Sequence, residues 1–460
     1  MPDIKPLTLV LGPVAGAALW FFLSAAGFEP EICWTAAITL TTAVWWVFES
    51  IPIPAASLLP FAALPLCGVL THQQAATALG NPVILLLMGA FMLSKAIEKA
   101  GVHERFALGM IRAVGGHGGA RLVLAFALTA AFISMWVSNT ATVLMLTPMA
   151  LALLGRSNDP QLTVPVLLAI AYGASIGGMG TLIGTPPNVI FAGIYAQETG
   201  RQFGFLDWMK IGVPIVLVAI PLLALWLARG LRGASPLRTD RPGPWQPAER
   251  RVVAVFGLTV LAWITQTEPY GGWTRLLDVD PASDATVALA GVVAMFLVPD
   301  GRGGRLLDWQ AAGSIPWGVL LLFAGGICLA AAFMASGLST LIGEQLAGLA
   351  SLHPFLLILG ICLVVTFLTE ITSNTAVATL MMPVLAAAAF ATSLPPELLM
   401  IPAAIAASCA FMLPVATAPN AIVYATGHVT IARMAREGLV LNLLLAGIIA
   451  TAVHLLLGRT

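Results

Sequence analysis

The sequence predicts an all-α polytopic membrane protein of about eleven transmembrane helices plus two re-entrant helical hairpins, arranged as inverted repeats with two broken helices. Three observations predict it. The 460 residues are 59% hydrophobic and only 9% charged, against roughly 25% charged in a soluble domain. Apolar runs recur along the chain at about the length that crosses a bilayer. A polar tripeptide, Ser-Asn-Thr, occurs twice, each time in the middle of an apolar run too long for one crossing.

So little charge in a soluble protein would leave large apolar patches in water, so the chain belongs in lipid. Net charge is zero, which gives no global attraction to nucleic acid. Cys33, Cys67, Cys328, Cys362 and Cys409 are odd in number and lie in or beside apolar runs, the pattern of small packing residues and not of a disulfide framework. The six histidines are scattered without metal-ligand spacing.

The first run, 8–28, is too long for a signal-peptide core and is read as a transmembrane helix. Further runs lie near 32–48, 55–70, 82–97, 120–156, 161–196, 209–229, 251–265, 284–298, 314–336, 353–392, 396–426 and 437–457. The run 120–156 has Ser138-Asn139-Thr140 at its centre, and its arms are about 14–15 residues, roughly 22 Å of helix. Such arms suit a hairpin with its tip near mid-membrane. The run 353–392 repeats the design around Ser373-Asn374-Thr375. Runs 161–196 and 396–426 carry Gly-rich and Pro-Asn stretches, Gly184-Thr185-Pro186-Pro187-Asn188 and Ala416-Thr417-Ala418-Pro419-Asn420. Glycine and proline there predict an interruption in each helix. Unwound backbone survives at membrane depth only where it is buried in protein or lines a cavity.

Basic residues orient the chain. With the N-terminus cytoplasmic and each hairpin leaving on the side it enters, only Arg201, Lys210, Arg275 and Arg459 of the 21 Lys and Arg fall outside, leaving 17 inside. That asymmetry obeys the positive-inside rule. Residues 1–230 then form an N-terminal repeat half, 231–250 a cytoplasmic linker and 251–460 a C-terminal repeat half. Shifting the sequence by 235 residues superimposes Phe132 on Phe367, Ser138-Asn139-Thr140-Ala141 on Ser373-Asn374-Thr375-Ala376 and Pro148 on Pro383. A shift of 232 superimposes Pro187-Asn188 on Pro419-Asn420. The two hairpins enter from opposite faces, and inverted repeats with broken helices mark secondary transporters. No nucleophile–base pair, carboxylate pair or metal cluster argues for an enzyme.

The motif regions hold almost no cationic side chain, and the charged residue nearest to either in sequence is Glu370. An anion would be held by the N–H groups of half-helices starting at Asn139/Thr140 and Asn374/Thr375, aided by Ser, Thr and Asn donors. Bound cations would supply positive charge. Amide oxygens, hydroxyls and freed carbonyls suit sodium. Ser134 and Thr369 stand one helical turn before Ser138 and Ser373 and share their faces, so each is either a ligand or a hydroxyl bonded to its own helix. Glu370 is either a site or gating acid or a hydrogen-bonded structural acid. Glu49 reads as interfacial. Lys95, Glu98, Lys99, Glu104 and Arg105 read as one amphipathic cytoplasmic helix.

With its paired Ser-Asn-Thr motifs and the stretch from Ser408 to Val423, the chain resembles the divalent anion:sodium symporter family from about residue 10 to 457. The resemblance implies uptake of C4 dicarboxylates driven by sodium, with a sulfate symporter or a sodium-independent dicarboxylate exchanger as the alternative on the same fold. It implies one sodium at Ser134, Ser138, Asn139 and the carbonyl of Gly184. A second would sit at Thr369, the carbonyl of Thr372, Asn374 and the carbonyl of Ala416. Substrate carboxylates would meet Asn139, Thr140, Thr185, Ser373, Asn374, Thr375 and Thr417. A further sodium, with no visible site, would make transport electrogenic. The resemblance also implies a homodimer working as an elevator in a bacterial inner membrane. One departure stands out: Ala418 occupies the place of the first proline of a Pro-Pro pair carried by some members.

Overall fold

The computed structural model describes residues 4–114, 118–155, 160–231, 243–266, 272–278, 283–346 and 353–458. Among them every regular element is helical. In chain order these are α1 (Ile4–Ala25), α2 (Pro30–Phe48), α3 (Ile53–Ala56), α4 (Leu59–Leu66), α5 (His72–Leu79), α6 (Pro82–Ala100), α7 (Val102–Val114), α8 (Gly119–Ser134), α9 (Asn139–Leu154), α10 (Thr163–Gly178), α11 (Pro186–Thr199) and α12 (Phe205–Ala228). The second half holds α13 (Pro247–Ile264), α14 (Gly272–Leu276), α15 (Asp284–Leu297), α16 (Trp309–Gly313), α17 (Trp317–Ser336), α18 (Leu338–Leu346), α19 (Pro354–Ile371), α20 (Asn374–Thr392), α21 (Pro396–Ala406), α22 (Ala418–Ala425) and α23 (Ile431–Leu457).

Nine stretches among the described residues are long and apolar enough to cross a membrane. They include both arms of the second hairpin, α19 and α20, of 18 and 19 residues. The arms of the first hairpin, α8 and α9, have 16 each. The run at 55–70 forms two short helices, α3 and α4, rather than one continuous helix. Pro52 and Pro54 lie at the start of α3 and Pro60 at the start of α4, where a missing N–H is tolerated, so one continuous helix through all of them would lose hydrogen bonds that two short ones do not need. The broken helices are as expected: α10 stops at Gly178 and α11 starts at Pro186, while α21 stops at Ala406 and α22 starts at Ala418. The linker reading 231–250 falls largely on 232–242, which lie outside the described residues.

The repeat reaches further than the sequence motifs. Gly101 ends α6 in the left-handed region at φ 73°, and Gly337 ends α17 at φ 79°. Each glycine turns the chain into a further helix, α7 or α18, which packs on a hairpin arm, α8 or α20. This break corrects one expectation. Lys95, Glu98 and Lys99 sit on α6, and only Glu104 and Arg105 belong to the amphipathic α7.

Lipid is as apolar as leucine, so helices associate in it by close packing and polar contacts. Helix α10 is buried over almost its whole length. Its Gly173 and Gly177 face Ala127 and Ala131 of α8, and a methyl at Gly177 would lie 2.2 Å from the Ala131 carbonyl oxygen. Glycine at that place is what lets the hairpin lie against the broken helix. The halves also interleave, since α9 packs on α22 and α20 on α11. Each hairpin tip therefore meets the broken helix of the other half.

Candidate substrate and ion site

The two Ser-Asn-Thr tips share one cavity of about 940 Å³. Its wall carries Ser138, Asn139, Thr140, Gly184, Thr185, Thr372, Ser373, Asn374, Thr375, Ala416 and Thr417. Every residue singled out from the sequence as a substrate or ion contact is therefore on the wall, except Ser134 and Thr369. Those two lie directly behind it. The Ser134 hydroxyl hydrogen-bonds the Asn139 side-chain oxygen. The Thr369 hydroxyl lies 2.6 Å from the Asn374 side-chain oxygen and 3.0 Å from the Ala407 carbonyl. Both hydroxyls thus reach forward to the motif asparagine, in the same way in both repeats.

Four helices begin at the motif residues of this cavity. Helices α9 and α20 start at Asn139 and Asn374, with Ser138 and Ser373 as their N-cap residues. Helices α11 and α22 start at Pro186 and Ala418, behind N-cap residues Thr185 and Thr417. Thr-Pro at N-cap and first turn, and Thr-Ala-Pro in the second repeat, suit a helix start because proline lacks the N–H that would be orphaned there. Four helix N-termini place partial positive charge and unpaired N–H groups around one volume. Ser138 caps the Ala141 N–H and Thr417 the Asn420 N–H. Thr185 and Ser373 make no such cap.

The unwound segments are held by a device that the sequence showed only as an unexplained match. Asn188 donates its amide to the carbonyls of Gly178 and Thr181, at 3.0 and 2.8 Å. Asn420 donates to those of Ala410 and Leu413, at 2.9 and 3.0 Å. All of these positions correspond at the 232-residue shift. Each asparagine is fully buried and staples the two ends of its break. The Gly178 staple point touches the first ion corner, since a methyl there would lie 2.9 Å from Asn139 Oδ1 and 3.0 Å from the Gly184 carbonyl oxygen.

The two repeats differ in how the break is supported. Glu370 is buried and accepts hydrogen bonds from the backbone N–H groups of Phe411, Met412 and Leu413, at 2.7, 2.8 and 3.1 Å, and from the Asn442 amide at 2.7 Å. It is a hydrogen-bonded structural acid that clamps the second break to α23. Its counterpart at the 235-residue shift is Met135, whose carbonyl takes the Thr181 hydroxyl. Tyr172 and Trp208 complete the support, donating to the carbonyls of Phe411 and Met179 at 2.8 Å each.

Three charged wall residues were not assigned to the site from sequence. Glu49, Lys95 and Glu98 also line the cavity. Glu49 follows α2 in the left-handed region at φ 48°, so its reading as merely interfacial misses its place on the wall. Lys95 brings a cation to the site, but its ammonium is 2.6 Å from Glu98. The pair offers an anion little net charge. The cavity also includes Ala418, the position where some family members carry proline.

The family model described as "Citrate transporter" (CitMHS) matches residues 43–396. The chain belongs to this transporter family. Family membership makes it a multi-pass membrane transporter and not an enzyme. The sodium-dependent dicarboxylate transporter SdcS of Staphylococcus saprophyticus is 39% identical over 97% of this chain and 90% of its own length. SdcS of Staphylococcus aureus strain NCTC 8325 is also 39% identical, with the same coverage. Two solved structures share the fold. The YdaH transporter of Alcanivorax borkumensis aligns with a TM-score of 0.66 at 15% identity, covering 92% of this chain and 98% of that one. MtrF of Neisseria gonorrhoeae aligns at 0.61 and 14%, covering 85% and 84%.

Proposed function

We propose that this family member is a sodium-coupled symporter that carries C4 dicarboxylates such as succinate, malate and fumarate into the cell by alternating access. The observation that carries the reading is the pair of equivalent corners, Ser134–Asn139 and Thr369–Asn374, flanking one cavity that receives four helix N-termini. A dianion at membrane depth is electrostatically expensive, and Lys95, the one cation on the wall among the described residues, is paired with Glu98. Two sodium ions would neutralise the dianion. Ser134, Ser138, Asn139 and the Gly184 carbonyl would hold one. Thr369, Asn374 and the carbonyls of Thr372 and Ala416 would hold the other. The hydroxyls of Thr140, Thr185, Ser373, Thr375 and Thr417 and the helix N-termini would take the carboxylates. Relatives named as sodium-dependent dicarboxylate transporters support this choice of ion and substrate.

The reading places the N-terminus and linker in the cytoplasm of a bacterial inner membrane, on the charge asymmetry. The cavity reaches the ends of α2 and α6, which that topology puts on the cytoplasmic side, so this conformation faces inward. As the resemblance implies, the reading takes the protein as a homodimer with an elevator motion of the paired hairpins and broken helices.

The test is succinate uptake into proteoliposomes, with sodium replaced by potassium under a matched membrane potential. Uptake should collapse in potassium and depend sigmoidally on sodium. Undiminished uptake in potassium rejects symport and favours exchange. Citrate and sulfate serve as competitors; if either displaces succinate at lower concentration than malate or fumarate does, the C4 assignment is wrong.

A further inference from the structure

Away from the cavity, the C-terminal end of α12 meets the N-terminal end of α23 around a single acid. Glu437 is fully buried. Arg229 pairs with one of its oxygens, while Arg433 at 2.8 Å and Arg436 at 3.5 Å pair with the other. Three guanidiniums on one carboxylate leave a local surplus of two positive charges. The arginine side chains are 38%, 42% and 63% exposed, so the surplus faces outward. The Arg229 guanidinium also lies 3.6 Å from the centre of the Trp226 ring, a cation–π contact that fixes its position.

The helix faces below this cluster are apolar. Leu222, Leu225 and Arg229 follow at i, i+3 and i+7 and share one face of α12; both leucines are exposed. Arg436, Leu439 and Leu443 follow the same spacing on α23, again with both leucines exposed. Helices α12 and α23 pack against each other. Two leucine stripes, each headed by an arginine, therefore lead away from the charged cluster along a pair of packed helices.

We propose that this place binds an anionic phospholipid, its phosphate held by Arg229, Arg433 and Arg436 and its acyl chains along the two leucine stripes. A soluble anion would use the arginines but not the leucines. A zwitterionic lipid would use the leucines but would gain less from the surplus charge. Basic clusters at the end of membrane helices attract anionic headgroups with roughly a fivefold gain in affinity per basic residue.

The test uses purified full-length protein in detergent and reads the unfolding temperature and lipid retention by native mass spectrometry. The probes are dioleoyl phosphatidylglycerol, dioleoyl phosphatidylcholine and soluble glycerol 3-phosphate. Phosphatidylglycerol should stabilise the protein at concentrations well below those needed for phosphatidylcholine. Arg229→Gln/Arg433→Gln/Arg436→Gln should abolish that preference. Because the triple variant leaves Glu437 unpaired and buried, Arg436→Gln is tested beside it. This change removes the longest of the three ion pairs and should weaken the preference about fivefold. Stabilisation of Arg436→Gln by its transported solutes should stay as in the unmodified protein. Equal stabilisation by both lipids overturns the proposal. So does an unchanged preference in either variant, and so does glycerol 3-phosphate matching phosphatidylglycerol.

Discussion

Thr369→Val is the sharpest test of the ion corners. Valine keeps the shape of threonine and loses only the hydroxyl. That hydroxyl is fully buried, 2.6 Å from Asn374 Oδ1 and 3.0 Å from the Ala407 carbonyl. Its single proton serves one of these oxygens at a time, so the substitution removes one hydrogen bond and leaves a buried acceptor unmatched, at about 1–3 kcal/mol. If the oxygen of Thr369 is also a sodium ligand, sodium affinity falls by the same order, roughly 5- to 150-fold. Linkage then requires succinate affinity at fixed, subsaturating sodium to fall as well. The assay is calorimetric titration of succinate across a sodium series. Thr366→Val is the control: it sits one turn earlier, equally buried, with its hydroxyl 3.5 Å from the Ala406 carbonyl. The reasoning is refuted if Thr369→Val lowers the unfolding temperature but leaves the sodium dependence of succinate binding where it was.

Thr140→Val and Thr375→Val should each weaken dicarboxylate binding by about 1–3 kcal/mol if a carboxylate oxygen loses its donor, read in the same titration; an effect in one repeat only would break the symmetric binding scheme. Asn188→Ala and Asn420→Ala each free two buried carbonyls, so both should lower the unfolding temperature by similar amounts, and a silent variant would show that its staple is dispensable. Gly178→Ala should weaken sodium-dependent stabilisation and leave that of the Asn374 corner, because its methyl would meet Asn139 Oδ1 at 2.9 Å; an unchanged sodium response would place the first ion elsewhere. A lone cysteine at Ser235 should resist a membrane-impermeant thiol reagent in intact cells and react in inside-out vesicles; labelling in intact cells would reverse the proposed orientation.

The hairpins and breaks were legible in the sequence because they contradict their surroundings. A Ser-Asn-Thr tripeptide inside an apolar run has no stable place except a satisfied tip, and Gly-Thr-Pro-Pro inside another has none except an unwound one. What could not be read was anything that depends on which turns come together. Asn188 and Asn420 matched across the repeats, yet their task needs carbonyls ten and seven residues upstream brought back by a chain reversal. Glu49, Lys95 and Glu98 are far from the motifs in sequence and reach the cavity only through packing. The division of 55–70 into two helices was not read because hydropathy ignores the missing N–H groups of proline. Glycine at 101 carried a visible stop signal for α6, which would have separated Lys95 from the amphipathic helix.

Glu370 and its counterpart Met135 give the molecule a direction that its ligands lack. The proposed ion corners are built from similar side chains, but the second break is tied to Glu370 by three backbone N–H groups, with the Asn442 amide as a fourth donor, where the first has in its place one hydroxyl bond, from Thr181 to the Met135 carbonyl. More hydrogen bonds hold the second break at this position than the first, so the Met135 corner is predicted to be the looser hinge. Two like seats on unequal springs would empty in a fixed sequence, and the sodium proposed beside Asn139 is predicted to leave before the one proposed beside Asn374. Glu370→Gln should blur that sequence in a stopped-flow release experiment, turning two resolved phases into one.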